Sequence, residues 1–546
     1  MFTRAPSPPR GGARSFLAPS AEAASIIDTM SAIAAELRSA TRTHPYQQLV
    51  DRARESSLLS STGAILGWDQ ETMMPDGGLD LRSKQLAQLA RMAHELTTDP
   101  RVGEWLAACE ADAGLTRDPT SVTAVNVREI RRSYDRATKL PSSLVEEFAQ
   151  VTSIAQHEWA EARKANDFAR FRPHLERIVG LLRKRAECFG WNRSGGEAWD
   201  ALADEYEPGS TAKDVEAVFV PLRERLARLV SELLTKGKAP PSAFNESPVP
   251  IEHQERFAKM VTERLGFDFK RGRLDCSTHP FCGGSHCNDV RMTSRYSERC
   301  VNDGLGSAMH ETGHGMYEQG LLYEHVGTPM GEAISLGIHE SQSRMWENQV
   351  GRSRAFWTWA MKELPSFAGD SVKRFSLDEF YGAANVVEPG FIRVDADEAT
   401  YNLHVMIRFE IERAVLRGDL EVAGIPSVWN RMYKEYLGLD VPDDRRGCLQ
   451  DIHWSMGSMG YFPTYTLGNL YAAQFFEAAL KAMPDLPEQF ARGDFTALKS
   501  WLNTNIHAQG KRYLAKDLCK VVTGWPLSAE PLMRHLEGKL RPLYGV

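Results

Sequence analysis

The sequence has little cysteine, no excess of basic charge and no long apolar run. Eight cysteines in 546 residues are too few for a disulfide framework, which favours free thiols in a reducing compartment. Lys and Arg number 65 against 72 Asp and Glu, a net charge of −7, which argues against nucleic acid or an anionic membrane as a partner. No apolar stretch approaches the ~20 residues of a membrane-spanning helix. These absences predict a soluble, cytoplasmic protein.

The rest of the composition is typical of a folded globular chain, except at the N-terminus. Hydrophobic residues make up 42% and charged residues 25%. Residues 1–29 hold three arginines, four prolines and no acidic residue before Glu22, which loosely resembles an organellar transit peptide. The prolines would break the amphipathic helix that such a peptide needs. We expect a disordered or targeting-like extension over residues 1–29, with helical sequence beginning at Met30.

Helical periodicity dominates the chain from residue 45 to 265 and again from 302 to the end. Apolar residues recur there at spacings of three and four, which predicts helical stripes that face a core. Three such stripes are Leu86, Leu89 and Met92; Leu144, Phe148, Val151 and Ile154; and Val215, Phe219, Leu222 and Leu226. Alternating polarity between 270 and 300 predicts a small sheet, and residues 391–394 predict one more extended segment. The predicted fold is mostly α with a small β patch in the middle.

The sharpest motif is H-E-x-x-H over residues 310–314, in a helix predicted over residues 303–317. Positions four apart on an α-helix differ by ~40° of rotation and ~6 Å of rise. The imidazoles of His310 and His314 therefore leave the same face and can share one zinc ion. Glu311 projects to the side of this pair, where it can take a proton from water that the ion activates.

Two glycines, Gly313 and Gly315, lie within and just after the motif. In a helix each costs about 1 kcal/mol relative to alanine. A merely solvated helix gains nothing from them. Close packing beside a metal site would offset their cost.

A catalytic zinc takes a third protein ligand and leaves one position open. The helix predicted over residues 332–350 offers several acidic side chains at spacings that place them on nearly one face. Periodicity does not choose among the candidates, which are Glu332, Glu340, Glu347 and, pointing about 100° away, His339.

A second cluster of soft ligands lies between residues 276 and 287. A structural zinc there is the competing metal interpretation, but the cluster lacks the paired C-x₂-C spacing of structural zinc modules. Free core cysteines are the simpler interpretation. The side chains concerned are Cys276, His279, Cys282, His286 and Cys287.

Seven short strings follow one another in order along the chain. They are W-D-Q-E-T-M-M-P at 68–75, H-P-F at 279–281, D-V-R-M-T at 289–293, H-E-T-G-H at 310–314, H-E-S-Q-S at 339–343, I-R-V-D-A-D at 392–397 and G-C-L-Q-D-I-H-W at 447–454. In this order the strings resemble the motifs of the carboxypeptidase Taq family of metallocarboxypeptidases. The resemblance extends from about residue 35 to the C-terminus.

The resemblance implies a function, and it implies the third ligand that periodicity leaves open. Glu340 becomes that ligand beside His310 and His314, and Glu311 becomes the general base. The implied fold is a single catalytic domain over residues 30–546, helical and saddle-like or clam-like with a deep groove, and the implied assembly is a homodimer. The implied activity removes single C-terminal residues from peptides with broad specificity, using zinc, for which cobalt can substitute.

A carboxypeptidase must also hold the terminal carboxylate of its substrate. A planar guanidinium suits a carboxylate because it can donate two parallel hydrogen bonds. Arg393 is the first choice for this task. Arg291 is the second, because its neighbour Asp289 suggests a structural pair within the sheet.

The tetrahedral oxyanion needs hydrogen-bond donors that act on charge appearing in the transition state. His453, in the last of the seven strings, and Tyr461, after a Gly/Met-rich loop, are the candidates. We expect His279, on the substrate side, and Asp451 to orient the groups that touch metal or substrate.

Two other functions stay open at this point. The H-E-x-x-H motif does not specify where a chain is cut, so an endopeptidase or oligopeptidase is one alternative. Amidation of the substrate's C-terminus distinguishes an exopeptidase from an endopeptidase. It should abolish cleavage by the exopeptidase and barely affect cleavage by the endopeptidase. A catalytically silent helical scaffold is the other alternative, and the intact base Glu311 argues against it.

Overall fold

The computed structural model describes residues 44–191 and 196–546. The extension predicted over residues 1–29 and the helix predicted to begin at Met30 lie outside these residues. The single domain over residues 30–546 stays a prediction.

Helices make up most of the described chain, as predicted, with one small sheet between two long helical series. Before the sheet come α1 (Pro45–Thr72), α2 (Leu79–Thr97), α3 (Pro100–Ala111), α4 (Ala113–Thr116), α5 (Val122–Lys139), α6 (Ser142–Ala165), α7 (Phe168–Phe189), α8 (Ala198–Ala203), α9 (Ala212–Lys236) and α10 (Ile251–Leu265). After it come α11 (Val301–Gly320), α12 (Leu336–Arg344), α13 (Arg354–Glu363), α14 (Pro365–Ala368), α15 (Leu377–Ala383), α16 (Tyr401–Arg417), α17 (Ile425–Leu437), α18 (Pro463–Ala482), α19 (Leu486–Ala491), α20 (Thr496–Asn505), α21 (Ala515–Thr523) and α22 (Glu530–Tyr544).

The sheet occupies the predicted region and has three strands, β1 (Gly272–Cys276), β2 (Cys282–His286) and β3 (Asp289–Ser294). Their order is β1-β3-β2, with β1 parallel and β2 antiparallel to β3. The β2–β3 register shifts between Gly284 and His286. Gly284 has φ +138°, and a methyl group there would lie 2.0 Å from the carbonyl oxygen of Asp289. Glycine therefore permits the close approach of β2 to β3 at this irregularity.

The main hydrophobic core contains buried side chains from Leu144 in α6 to Tyr544 in α22. A smaller core joins α1, α3 and α5. The stripe predicted in α9 is buried throughout, which confirms it. The other two are wrong in part, because Ile154 is 49% and Met92 is 38% exposed, and α2 has no buried residue at all. Helical spacing predicts which residues share a face of a helix, but it does not predict whether that face packs against the core.

Two segments near the predicted site differ from their sequence prediction. The helix predicted over residues 332–350 begins only at Leu336, after the cap residue Ser335, and continues as a π-helix over Met345–Gly351. The segment predicted to be extended contains a 3₁₀ turn over Arg393–Asp395. This turn closes with hydrogen bonds from Asp395 N to Ile392 O and from Ala396 N to Arg393 O.

Helix α11 is the centre around which the site forms. It packs against α10, β3 and α12, and α12 packs in turn against α18. At the crossing with α12, a methyl group on Gly313 would lie 2.4 Å from the carbonyl oxygen of Gln342. A methyl group on Gly315 would likewise lie 2.4 Å from the sulfur of Met292 in β3. The two glycines thus permit the close packing that the sequence predicts.

Candidate metal centre and active site

Three side chains on α11 and α12 point their ligand atoms at one place. Glu340 Oε2 lies 3.6 Å from His310 Nε2 and 3.3 Å from His314 Nε2. The ligand atoms of all three residues lie within 4.8 Å of one another. Two imidazole nitrogens and one carboxylate oxygen are the donor set of many catalytic zinc sites. The residues therefore fit a single divalent ion.

Each imidazole is also held at its other nitrogen. His310 Nδ1 donates to Glu347 Oε2 at 2.9 Å. His314 Nδ1 lies 2.5 Å from His339 Nδ1, and His339 Nε2 lies 2.8 Å from Glu318 Oε1. Donation from His314 through His339 to the Glu318 carboxylate leaves the Nε2 lone pair of His314 facing Glu340, and donation to Glu347 does the same for His310. Metal binding needs this tautomer of both imidazoles.

The charge states of His314 and Glu340 suit metal binding. Burial and the neighbouring His339 lower the pKa of His314 to about 3, so this imidazole is neutral at pH 7. Burial alone would raise the pKa of Glu340, but the Arg344 guanidinium and His310 bring it well below the ordinary value. Arg344 Nε donates to Glu340 Oε1 at 2.6 Å, which leaves Oε2 facing the imidazoles.

The other two acidic candidates in this segment are placed elsewhere. Glu332 precedes α12, is half exposed and pairs with Lys511. Glu347 lies behind His310 and accepts from both Arg344 and Arg352. The start of α12 and the π-helical turn thus separate residues that simple helical spacing places on one face.

Glu311 lies beside the three ligand residues with only 5% of its surface exposed. Its Oε2 is buried and has no hydrogen-bond partner among the described residues. Burial raises the pKa of this carboxyl to about 7. A carboxylate with a pKa near the working pH can both accept and return a proton.

Arg393 is buried, and its guanidinium donates hydrogen bonds to two neighbouring side chains. Its Nε and Nη2 donate to Asp451 Oδ1 at 3.1 and 2.8 Å, and its Nη1 donates to the Tyr401 hydroxyl at 3.0 Å. Arg408 of α16 donates to the other oxygen of Asp451 at 2.7 Å. A guanidinium has five N–H groups, so these three hydrogen bonds leave two N–H groups of Arg393 over.

Arg291 and His279 lie on the sheet side of the site. Arg291 Nε and Nη2 donate to Asp289 at 2.9 and 3.2 Å, the structural pair suggested by the sequence, and its guanidinium lies 4.7 Å from the ring centre of Trp68. His279 is exposed in the β1–β2 connection. That connection is held by Thr293, whose Oγ1 accepts from Phe281 N at 3.0 Å.

His453 and Tyr461 face each other across a short loop, with ring centres 5.3 Å apart. His453 Nε2 lies 3.3 Å from the Tyr465 hydroxyl, and its Nδ1 is 4.0 Å from Asp451 Oδ1. Burial lowers the pKa of His453 to about 4 and raises the pKa of Tyr461. At pH 7 both side chains are neutral and able to donate one hydrogen bond each.

The soft-ligand cluster does not form a second metal group in the described residues, where His310, His314 and Glu340 are the one set found. All eight cysteines are free. Cys287 is buried, but Cys276 is exposed, so the core prediction holds for only part of the cluster.

Several residues that shape the site were not singled out from the sequence. Arg344 could have been found as a basic residue four positions after Glu340 on one helix. Tyr401, Arg408 and Glu412, all on α16, carry no sequence signal that marks them. They reach the site only through the folded arrangement of α16.

None of the described helices is both long enough and apolar enough to cross a membrane.

Comparisons with known proteins agree with this geometry. A family model described as "Carboxypeptidase Taq (M32) metallopeptidase" matches residues 25–540. Thermostable carboxypeptidase 1 of Thermus thermophilus is 45% identical over 509 residues, which cover 92% of this chain and 99% of that protein. Carboxypeptidase 1 of Bacillus subtilis is 35% identical over 503 residues, with coverage of 92% and 99%.

Among solved structures, the M32 carboxypeptidase from Deinococcus radiodurans R1 is similar with a TM-score of 0.88 and 39% sequence identity. The similarity covers 92% of this chain and all of that one. The likeness in fold thus extends over nearly the whole chain.

Proposed function

Because the chain belongs to the carboxypeptidase Taq (M32) family and is therefore a metallocarboxypeptidase, we propose specific roles for its residues in removing single C-terminal amino acids from peptides. One observation carries the proposal. The ligand atoms of His310, His314 and Glu340 converge within 4.8 Å. The buried carboxylate of Glu311 lies beside them, and its Oε2 has no hydrogen-bond partner in the described part of the chain.

The family uses a divalent metal, and we propose zinc, held by His310, His314 and Glu340, with cobalt able to replace it. The mixed nitrogen and oxygen donor set supports zinc. When bound, such an ion acts as a Lewis acid that polarises a carbonyl group and lowers the pKa of water. The outer partners Glu347 and His339 fix the imidazole orientations that this task requires.

Glu311 is proposed as the general base and later the general acid. Its carboxylate takes a proton from the attacking water and returns it to the leaving amine. Its raised pKa, about 7, supports both directions of transfer near neutral pH.

His453 and Tyr461 are proposed to donate hydrogen bonds to the tetrahedral oxyanion. Both are neutral donors at pH 7, and neither needs to change protonation state to act. Donors held in place before the reaction cost little reorganisation when charge develops.

Arg393 is proposed to hold the terminal carboxylate of the substrate through its two remaining N–H groups. Asp451 and Tyr401 fix the plane of its guanidinium. Arg291 is the second candidate, and His279 is proposed to contact the substrate from the exposed turn of the sheet. Recognition of a free carboxylate, with little demand on the side chain, fits broad specificity.

We further propose a cytoplasmic homodimer. Free thiols at all eight cysteines support a reducing compartment. Large apolar side chains stand exposed on the α1–α2 hairpin, which supports a self-association surface there. They are Leu58 at 70%, Met73 at 55%, Leu79 at 55% and Leu81 at 64% exposure. Light scattering should give twice the chain mass of 61.1 kDa, and a single chain mass would overturn the dimer.

The direct test follows amino acids released over time from an unblocked peptide and from the same peptide with an amidated C-terminus. We expect sequential release from the free C-terminus, no release from the amide, and no release by Glu311→Gln. Internal fragments from both peptides would favour an endopeptidase instead. Absence of any product from metal-loaded wild type would favour a silent scaffold.

A further inference from the structure

A buried carboxylate on α16 contacts both ends of the loop that carries His453 and Tyr461. Glu412 is completely buried. Its Oε1 accepts from the Trp454 indole at 2.9 Å, and its Oε2 accepts from the Gly460 backbone N–H at 2.9 Å. The Trp199 indole is a third donor, 3.3 Å from Oε2. All three donors are uncharged.

Two of these donors lie next to the proposed oxyanion donors. Trp454 follows His453 directly, and Gly460 precedes Tyr461 directly. Fixing both N–H groups on one carboxylate therefore fixes the two backbone positions from which the catalytic side chains leave. The segment from residue 453 to 461 is called the oxyanion loop below. Glu412 links the two ends of this loop, because it accepts one hydrogen bond from each end.

The third donor joins the oxyanion loop to a different part of the fold. Trp199 lies in α8, whose last residue, Ala203, contacts the loop so closely that a methyl group on Gly460 would be 2.8 Å from its backbone N. Gly460 has φ +98°, which glycine adopts without strain. Tyr206 then packs edge-on against Tyr461, with ring centres 5.1 Å apart. Glu412 lies where α8, α16 and the loop meet.

The charges around Glu412 show that it is not simply one half of an ion pair. Arg408, a cation whose charge acts on Glu412, is one turn earlier on α16 and donates to Asp451. The next residues on the helix face other partners, Glu410 pairing with Arg223 and Arg413 with Glu197. A buried carboxylate without its own cation costs free energy. An apolar side chain would avoid that cost but would leave three buried N–H groups without an acceptor.

We propose that Glu412 is a positioning residue for peptide hydrolysis, which holds the oxyanion loop so that His453 and Tyr461 face the metal centre. This inference rests on the roles proposed above for those two residues. Glu412 acts through the loop and touches neither the metal ligands nor the substrate.

The primary test is Glu412→Gln. The amide keeps the size of the side chain but replaces one acceptor oxygen with an NH₂ group, which must face at least one of the three N–H donors. We expect kcat to fall about 10- to 100-fold, the range for a small displacement of catalytic groups. KM and the metal content per chain should stay close to wild type. Glu410→Gln, on the same helix but paired at the surface, is the matched control and should keep wild-type kcat.

Wild-type kcat in a folded, metal-loaded Glu412→Gln protein would overturn the inference. An equal loss in Glu410→Gln would overturn it too, because the effect would then belong to α16 as a whole. Loss of metal from Glu412→Gln would assign the residue to the metal centre and contradict the proposed role.

If Glu412→Gln fails to fold, a second pair of variants tests the positioning role of Glu412. Trp454→Phe and Trp199→Phe each remove one indole donor from the same carboxylate, but only Trp454 belongs to the oxyanion loop. Both should lower the unfolding temperature, and only Trp454→Phe should lower kcat. Equal effects of the two variants on kcat, or none from either, would overturn the inference.

The proposed catalytic roles are tested separately with His453→Ala and Tyr461→Phe. If these variants keep wild-type kcat, the proposed oxyanion donors are wrong, whatever Glu412 does. If they lose activity while Glu412→Gln and Trp454→Phe do not, only the positioning role of Glu412 fails.

Discussion

Gly313 of α11 lies against the backbone of Gln342 in α12, with room for a hydrogen but not for a methyl group. A Cβ at residue 313 would be 2.4 Å from the carbonyl oxygen of Gln342 and 2.5 Å from the Cα of Ser343. This contact sets the helix separation that brings Glu340 to the two histidines. We therefore expect Gly313→Ala to push the helices apart, destabilise the fold by about 1–3 kcal/mol and weaken metal binding. Unfolding curves and chelator competition measure the two effects.

Gly306→Ala on the same helix is the matched control. Apart from its own turn of α11, no described residue has a heavy atom within 4 Å of the Cβ that this substitution adds. It should bind metal normally and gain up to about 1 kcal/mol of stability, because alanine is the better helix former. Normal metal binding by Gly313→Ala would show that the helix crossing does not set the site.

Glu347→Gln should weaken metal binding without abolishing it. Glu347 accepts from His310 Nδ1 at 2.9 Å and so orients the imidazole from behind. Removal of such an outer partner typically costs 10- to 100-fold in metal affinity, and we expect an effect of about this size. Competition with a chromophoric chelator gives the affinity. Glu332→Gln, at the exposed candidate before α12, should bind as tightly as wild type, and a similar loss there would refute the assignment.

The Arg393 prediction concerns recognition of the free carboxylate at the end of a peptide substrate. Arg393→Lys keeps the charge beside Asp451 but loses the planar pair of N–H groups. We expect kcat/KM for a free-carboxylate peptide to fall about 100-fold, the order of one charged hydrogen-bonded contact. Steady-state kinetics on the unblocked peptide, with Arg291→Lys in parallel, measures this. A larger loss in Arg291→Lys would transfer the role to Arg291.

Glu207 makes a prediction about pH and stability. It is 2% exposed and accepts from the backbone N–H of Gly337 at 2.9 Å, near the start of α12. Burial raises the pKa of this carboxyl from 4.5 to about 7. Glu207→Gln removes the ionisation, so the variant should gain stability relative to wild type as the pH rises from 5 to 8.

The sign follows from the two states of Glu207. Below pH 4.5 its carboxyl is protonated in both the folded and the unfolded chain, so the folded state bears no penalty. Between 4.5 and about 7 only the unfolded chain releases the proton, and wild type loses stability as the pH rises. Above pH 7 this loss in the free energy of unfolding of wild type reaches about 3 kcal/mol. Urea unfolding at several pH values measures it, with the exposed Glu477→Gln as control, and a pH-independent difference for Glu207→Gln would contradict the prediction.

Local spacing was enough to predict the first part of the site. Four residues separate His310 from His314, and this alone brings their side chains to one face of α11. The small sheet followed from alternating polarity in the same way. The cost of Gly313 and Gly315 in a helix correctly indicated close packing around the motif.

Choosing the third ligand needed more than spacing. Glu332, Glu340 and Glu347 look alike on an ideal helix, and only the start of α12 at Leu336 and the π-helical turn after Arg344 separate them. The family resemblance implied Glu340, and the geometry agrees with it. The 3₁₀ turn at Arg393 was missed because apolar alternation over four residues fits several backbone forms.

The contacts of α16 could not be predicted from sequence at all. Arg408 reaches Asp451 43 positions away, and Glu412 reaches Trp199 213 positions away. Such pairings depend on the packing of distant helices, which no local pattern encodes.

The central claim is that one divalent ion, held by His310, His314 and Glu340, is required for turnover. The most direct measurement removes metal with a chelator, then titrates zinc back while recording peptide hydrolysis. We expect no activity at the start and a linear return that ends at one ion per chain. Full activity in the metal-free enzyme, or a return that Glu340→Gln shares at the same stoichiometry, would contradict the account.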